Sequence, residues 1–227
     1  LLVIADRSAI LVAVLNRGKE EFMYRLIYAE RSAAYSSRII LKEIGADYEL
    51  IMTGIEDGGP RHPELMKLNP NGWVPVLIDG DMAIHEAAAI VIYLTDKHPE
   101  CGLAPAPGDP ARGPFLTWLV YMSNTVQTAY QLMYYPGRYC TGGEHTASVQ
   151  QRSCERLRET WGYIDAALEG KTWFVGETFS AADIYLHMLT TWLSPDAGHP
   201  TIDEFPNAKR IADAVAKRPA VRLVHRL

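Results

Sequence analysis

Residues 69–90 read NPNGWVPVLIDGDMAIHEAAAI and decide the fold of the first half of the chain. Segments 74–78 and 82–84 are short β-prone runs on either side of Asp79-Gly80-Asp81, and an Asp-Gly pair between such runs is typical of a hairpin turn. The segment that follows, 86–97, is rich in Ala, Ile and Leu and predicts a helix. The stretch therefore predicts two antiparallel strands followed directly by a helix.

The residues upstream alternate between strand and helix patterns. Segments 24–29 and 48–52 predict strands, whereas 36–44 and 62–68 predict helices, the first of them stopped by Gly45. The complete order is β-α-β-α-β-β-α. Since two strands joined through a helix pair in parallel by a right-handed crossover, this order predicts a four-stranded mixed sheet with helices on its faces.

The chain changes character after this region. Residues 98–113 contain four prolines and three glycines, which predicts a linker. Beyond it the strand pattern disappears, and segments 114–139, 146–169, 181–193 and 206–218 predict helices. We therefore expect an α/β domain at 23–97 and an all-helical domain at 114–227. Residues 1–22 are expected to be an extension upstream of a natural start at Met23, the alternative being an extra helix or edge strand.

Composition narrows the class of protein. The 227 residues include 22 basic and 27 acidic ones, a net charge of −5 that argues against nucleic-acid binding. No apolar run approaches the roughly 20 residues that span a bilayer, so no membrane partner is expected. Three cysteines do not form a disulfide framework, which favours a reducing, cytoplasmic setting. The seven histidines show no metal-ligand spacing, and no metal is expected.

Three motifs, in this order and spacing, resemble those of the soluble, bacterial-type glutathione S-transferase family. Residues 69–77 (NPNGWVPVL) are similar to the family's NPxGxVPxL, 85–90 (HEAAAI) to ESxAI, and 179–184 (FSAADI) to FSxAD. The resemblance extends over 23–227. It implies a thioredoxin-like first domain, an all-α second domain, glutathione as co-substrate and a homodimer.

The resemblance also implies which groups bind glutathione. A cis Val74-Pro75 bond would expose the Val74 N–H and C=O to the cysteinyl backbone, with Trp73 beside them; otherwise Pro75 is an ordinary edge-strand proline. Glu86 would bind the γ-glutamyl ammonium, and the Ala87 amide would hold the carboxylate at a helix N-terminus. Alternatively, Glu86 merely favours the helix dipole. The family usually has Ser in place of Ala87, and its missing hydrogen bond is worth about 1.5–3 kcal/mol.

The remaining group of the site is the one that activates the thiol. The family uses Ser, Tyr or Cys after the first strand, and this loop contains no cysteine. We select Ser32 as the catalytic hydroxyl, although its other interpretation is a helix cap. Arg31 would supply positive charge to the thiolate or to a carboxylate of glutathione. The alternative hydroxyls are Tyr28, Tyr35 and Ser36.

An aromatic stripe marks the first helix of the second domain. At helical spacing it is typical of a core or a dimer interface, but the resemblance implies that this helix also lines the hydrophobic-substrate site. We select Tyr121 and Tyr130 for that site. Ser180 and Asp183 form a capping-box pattern, interpreted as structural. The full stripe is Trp118, Tyr121, Tyr130, Tyr134, Tyr135 and Tyr139.

The expected activity is conjugation of the glutathione thiolate to a small hydrophobic electrophile, in the service of detoxification. A glutathione-dependent isomerase, dehalogenase or ether-cleaving enzyme would use the same first half-reaction. An alternative function of a different kind is that of a non-catalytic or regulatory binding protein, since one fold hosts unrelated functions.

Overall fold

The computed structural model describes residues 24–225, so the prediction for residues 1–22 lies outside the described part. The first region has the predicted βαβαββα order. Its elements are β1 (Tyr24–Tyr28), α1 (Ala34–Glu43), β2 (Tyr48–Met52), α2 (Pro63–Leu68), β3 (Val76–Asp79), β4 (Met82–His85) and α3 (Ala87–Lys97).

The four strands form one mixed sheet in the order β2-β1-β3-β4. β1 pairs with β2 in parallel, and the other two pairings are antiparallel. Alternation along β1 gives each sheet face its own core: Leu26 packs toward α1 and α3, and Ile27 packs with Leu65 and Val76 on the opposite face. The prediction of a mixed four-stranded sheet is confirmed.

From Arg112 onward the described residues form helices and no strand, which confirms the all-helical second region. No helix within residues 24–225 is long and apolar enough to cross a membrane. The helices are α4 (Arg112–Val120), α5 (Gln127–Tyr134), α6 (Thr146–Ala167), α7 (Ala181–Thr190), α8 (Pro206–Ala216) and α9 (Pro219–His225), with a π-helical segment (Tyr121–Val126) joining α4 to α5.

Two differences from the expected helices have clear causes. The helix predicted over 114–139 ends at Tyr134, because Pro136 disfavours the helical conformation of the residue before it. The short helix α9 lies beyond the predicted stop at residue 218. Pro219 begins it, since proline is well suited to the first position of a helix.

Helix α1 carries the main contacts between the two regions. It packs against α7 and α9 as well as against the sheet. The Arg218 guanidinium binds the Glu43 carboxylate through two hydrogen bonds of 2.6 and 2.7 Å. The Tyr35 ring lies edge-on to His225, whose Nε2 is 3.2 Å from Nε2 of His187.

The capping box at the start of α7 is confirmed. The Asp183 carboxylate accepts hydrogen bonds from the backbone N–H groups of Phe174 (2.7 Å) and Ser180 (2.8 Å). Burial raises the pKa of Asp183 to about 6, even though these hydrogen bonds favour its charged form. All three groups hold the loop before α7 in place, which is a structural role.

Candidate functional site

The register of the sheet brings three chain segments to one edge. Ile27 near the end of β1 lies opposite Val76 at the start of β3, and Val76 lies opposite His85 at the end of β4. The loop after β1, the Trp73–Pro75 turn and Glu86 therefore meet at this edge. We call this edge the first-domain face.

The turn before β3 leaves a strand-like residue without a partner. The Val74-Pro75 peptide bond is cis, as predicted. Among the described residues, Val74 makes no backbone hydrogen bond. Its neighbours are fixed, because the Asn69 side chain donates to the Trp73 carbonyl (3.0 Å) and Arg61 Nε donates to the Gly72 carbonyl (3.1 Å). The Val74 main chain is thus held ready to pair with another extended backbone.

Glu86 precedes α3 in a conformation that non-glycine residues seldom adopt. Its φ is 71°, which costs of the order of 1–3 kcal/mol, and its side chain is 83% exposed. The backbone N–H groups of Ala87 and Ala88 have no partner in the described part of the chain. These amides and the positive end of the helix dipole favour an anion, and the adjacent Glu86 carboxylate favours a cation.

Ser32 is placed beside this edge but its hydroxyl is engaged. The side chain is buried, donates to the Ala29 carbonyl (2.7 Å) and accepts from the Ala34 N–H (3.3 Å). The Ser32 carbonyl accepts from the Tyr35 N–H at 3.1 Å. Ser32 therefore fixes the turn that leads into α1, whose N-cap residue is Ala33. Arg31 beside it is exposed and has a φ of 55°.

The other hydroxyls of this region differ in availability. Ser36 is fully buried and donates to the Ala33 carbonyl (3.0 Å). Tyr35 is held at the interface between the regions, where burial raises its pKa to about 12. Tyr28 is half-buried, and its hydroxyl makes no hydrogen bond within residues 24–225. Tyr28 thus stays an alternative to Ser32.

The two tyrosines selected for substrate binding lie away from this edge. Tyr130 is 1% exposed; its hydroxyl donates to the Leu189 carbonyl (2.8 Å) and accepts from Trp161 Nε1 (3.1 Å). Tyr121 packs against Trp118 and Tyr163 in a cluster formed by the second region alone. The Tyr130 ring is thus enclosed, and the described ring contacts of Tyr121 are with second-region aromatics.

Different tyrosines of the second region face the first-domain face. Burial raises the pKa of Tyr134, and the Arg31 guanidinium partly offsets that rise. The Tyr135 ring lies edge-on to Trp73, with 6.1 Å between centroids. Burial, and then the Glu86 carboxylate, raise the pKa of Tyr185 on α7. Tyr134 follows Tyr130 by one helical turn. The proline that ends the helix just beyond Tyr134 is the sequence feature that could have identified this residue.

One arginine joins the first-domain face to the second region. The Arg138 guanidinium lies 4.0 Å from the Trp73 ring centroid and 3.6 Å from that of Tyr135, and it forms an ion pair with Asp57. This stack links the Trp73 turn to the second region. Within residues 24–225, no three His, Cys, Asp or Glu side chains are arranged to hold a metal ion.

A thioredoxin-like sheet edge with a cis-proline turn, facing a helical domain, defines the class of glutathione-dependent proteins with two domains. The family model for the glutathione S-transferase N-terminal domain matches residues 25–96, and that for the C-terminal domain matches residues 115–219. The chain belongs to the glutathione S-transferase family.

Individual relatives agree. Glutathione S-transferase 3 of Zea mays is 29% identical over 189 residues, covering 80% of this chain and 83% of that protein. A sphingomonad glutathione S-transferase solved with glutathione is 27% identical, with a TM-score of 0.76 over 89% of this chain and 97% of that one. A glutathione transferase from Methylococcus capsulatus is 26% identical, with a TM-score of 0.78 over the same shares. This chain is accordingly a glutathione transferase by family.

Proposed function

We propose that the chain conjugates the glutathione thiolate to a small hydrophobic electrophile. The observation that carries this proposal is Glu86, held at a φ of 71° beside the unpartnered amides of Ala87 and Ala88. A cation-binding carboxylate next to an anion-binding helix end matches an α-amino acid group, such as the γ-glutamyl end of glutathione. The sphingomonad relative was solved with glutathione bound.

The remainder of the tripeptide extends along the sheet edge in this proposal. The Val74 N–H and C=O pair with the cysteinyl backbone as one further strand would. Pro75 and Trp73 form the wall below it, and the exposed Arg31 guanidinium lies within reach of a carboxylate or of the thiolate. The cysteinyl sulfur then lies next to the Ser32 loop and the start of α1.

Ser32 activates the thiol in this proposal. Lowering a thiol pKa from about 8.5 by two requires roughly 2.7 kcal/mol of preference for the thiolate. A hydrogen bond to a charged group supplies about 1.5–3 kcal/mol, and a helix N-terminus adds about 0.3–1 kcal/mol. The hydroxyl must rotate from the Ala29 carbonyl to the sulfur, exchanging a bond worth about 1 kcal/mol for a stronger one.

Tyr134 and Tyr135 form the wall that receives the electrophile, in place of Tyr121 and Tyr130. The Tyr135 ring adjoins Trp73 of the first domain, and the preceding residue, Tyr134, is 47% exposed. We further propose a cytoplasmic homodimer that acts in detoxification. Exposed apolar side chains on the α4–α6 surface, Val120 and Tyr163, support a dimer face. Light scattering at micromolar concentration would show twice the chain mass.

Two observations favour the second candidate, a binding protein without turnover. The Ser32 hydroxyl is already bonded to the Ala29 carbonyl, and Ala87 lacks the hydroxyl that the family motif usually has. Such a protein would bind glutathione and leave its thiol protonated.

Two measurements on the purified chain separate the candidates. Retention on immobilised glutathione with release by free glutathione is expected for both. Turnover of an aryl halide in the presence of glutathione is expected only for the transferase. Retention without turnover of aryl halides, epoxides or α-halo acids would favour the binding protein, and no retention at all would overturn the assigned glutathione site.

A further inference from the structure

The structure buries one basic side chain beneath the loop that carries Ser32. Arg38, on the second turn of α1, is 2% exposed, and it is the one buried lysine or arginine among residues 24–225. Its single described ion pair is Nη1 to Glu30 Oε1 at 3.3 Å, and the Glu30 side chain is 52% exposed. A guanidinium that is removed from water without full pairing costs several kcal/mol, so ordinary stabilisation does not explain it.

The contacts of Arg38 explain the burial better. Its Cζ lies 4.7 Å from the centroid of the Tyr28 ring, and its Nη1 binds Glu30. These two residues flank Ala29, and the Ala29 carbonyl accepts the Ser32 hydroxyl at 2.7 Å. One rigid planar group thus fixes both neighbours of the acceptor that sets the orientation of Ser32.

We propose that Arg38 is a positioning residue for thiol activation: its guanidinium locks Tyr28 and Glu30, and thereby the backbone of the 28–32 loop from which the Ser32 hydroxyl turns to the sulfur, at the start of α1. This inference rests on the proposed function. Arg38 acts by fixing the loop, and not by an electrostatic effect of its charge on the sulfur. Lysine cannot replace it, since a single ammonium group lacks the planar fork that contacts a ring and a carboxylate together.

If Arg38 acts by its charge or, instead, by positioning the loop, opposite results are expected when the Glu30 carboxylate is removed. Glu30→Ala frees the loop, so under positioning it raises the pKa of bound glutathione, as Arg38→Gln does. If the Arg38 charge acted on the sulfur directly, removal of the negative Glu30 would instead lower that pKa. Because the two residues share one contact, the double variant should lose no more than the larger single loss.

The experiment compares four variants with the native chain: Arg38→Gln, Arg38→Lys, Glu30→Ala and the control Lys42→Gln. Lys42 is on the same helix and stacks on Tyr48 at 4.9 Å, but it is exposed and touches no part of the Ser32 loop. Ultraviolet titration of the bound thiolate and the pH profile of turnover are the readouts. Arg38→Gln and Glu30→Ala should lower turnover at neutral pH about tenfold, equivalent to roughly 1.4 kcal/mol, with the KM for glutathione within threefold. Arg38→Lys should recover less than half of the activity.

A second readout does not depend on glutathione. Amide hydrogen exchange should quicken at Ala34 and Tyr35, whose N–H groups bind Ser32, and not at Ile44 at the far end of α1. Unchanged exchange at Ala34 and Tyr35, full activity of Arg38→Lys, or a lowered thiol pKa in Glu30→Ala would each overturn the inference. Quickened exchange in a chain whose native form has no turnover would instead overturn the proposed function alone. Should Arg38→Gln not fold, Glu30→Ala at a half-exposed position decides.

Discussion

The two regions present different chemical groups to each other. The first-domain face presents mainly main-chain groups, namely the Val74 backbone and the amides at the start of α3, with Glu86 and Arg31 as exposed charges. The second-domain face presents side chains, chiefly Tyr134 and Tyr135 at the proline-terminated end of α5. Sheet register fixes the first, whereas tertiary packing fixes the second. We therefore expect the first-domain face to keep its structure when neighbouring residues are changed, and the second-domain face to shift when the packing behind it changes.

The largest expected effect is an acid sensitivity confined to the packing behind the second-domain face. His187 on α7 is buried next to His225, with Asp213 and the α8 backbone also facing it; burial, and then His225, lower its pKa to about 4. The folded-state pKa lies below the ordinary 6.5, so the stability from neutral His187 is complete above pH 6.5 and is lost as pH falls toward 4. The full loss corresponds to about 3 kcal/mol.

Urea unfolding between pH 7.5 and 4.5 measures this loss, and His187→Gln should flatten the pH dependence. Amide exchange at pH 5 should quicken in α7 and α9 before β1 and β3. Equal quickening in the sheet would remove the distinction between the two faces.

The next effect tests the first-domain face. Glu86→Ala should weaken glutathione binding by about 10- to 150-fold, since a charge-assisted hydrogen bond is worth about 1.5–3 kcal/mol. Glu86→Gly should weaken binding equally but give a protein more stable than the Ala variant, by about 1 kcal/mol, because glycine tolerates the positive φ. Calorimetric titration and thermal melts supply both numbers. Equal stability of the two variants would show that this backbone holds no strain.

A smaller effect is expected at the junction of the two faces. Ser32→Ala should reduce aryl-halide turnover about tenfold or more, at least roughly 1.4 kcal/mol, and raise the pH at which bound glutathione ionises. Glutathione affinity should stay within a few-fold, because Val74 and Glu86 hold the tripeptide elsewhere. Full activity in Ser32→Ala together with its loss in Tyr28→Phe would assign activation to the tyrosine.

The smallest effect is expected on the second-domain face. The Tyr134 hydroxyl donates to the Trp192 carbonyl at 2.6 Å, so Tyr134→Phe releases the ring at the cleft. The KM for the electrophile should change by about two- to fivefold, roughly 0.5–1 kcal/mol, without a change in that for glutathione. Tyr130→Phe is the control: it leaves buried partners unpaired and should lower stability by about 1–3 kcal/mol while the KM stays constant. A changed KM in Tyr121→Phe alone would return the electrophile site to that residue.

The same division explains what the sequence could predict. The order of strands and helices along the first region follows from local signals, because an Asp-Gly hairpin restricts the backbone directly. The cis Val74-Pro75 bond was implied by the family resemblance, since a proline inside a β run by itself indicates only an edge strand. Glu86 could be placed at a helix start from its sequence neighbours. Its positive φ could not, because that conformation is imposed by the sheet edge around it.

The second-domain face depends on information that is not local. Tyr130 and Tyr134 lie one turn apart on the same helix, and tertiary packing separates them: Tyr130 is buried against Leu189 and Trp161, whereas Tyr134 at the helix end is 47% exposed. Periodicity alone assumes regular geometry and assigns Tyr130 to the stripe without showing that it is interior. The buried Arg38 was similarly hidden, since a basic residue in an amphipathic helix is normally assigned to the exposed face.

The contact of α9 with α1 carries a consequence for synthesis of the chain. Glu43 at the end of α1 binds Arg218, 175 residues later, and Tyr35 packs on His225. While the protein is being translated, the sheet edge can form early, but the helix that follows Ser32 stays without its outer support until residue 225 has left the ribosome. A nascent chain stalled before α9 would therefore have the complete sheet edge that we propose binds glutathione, while the helix that follows Ser32 would lack its outer support.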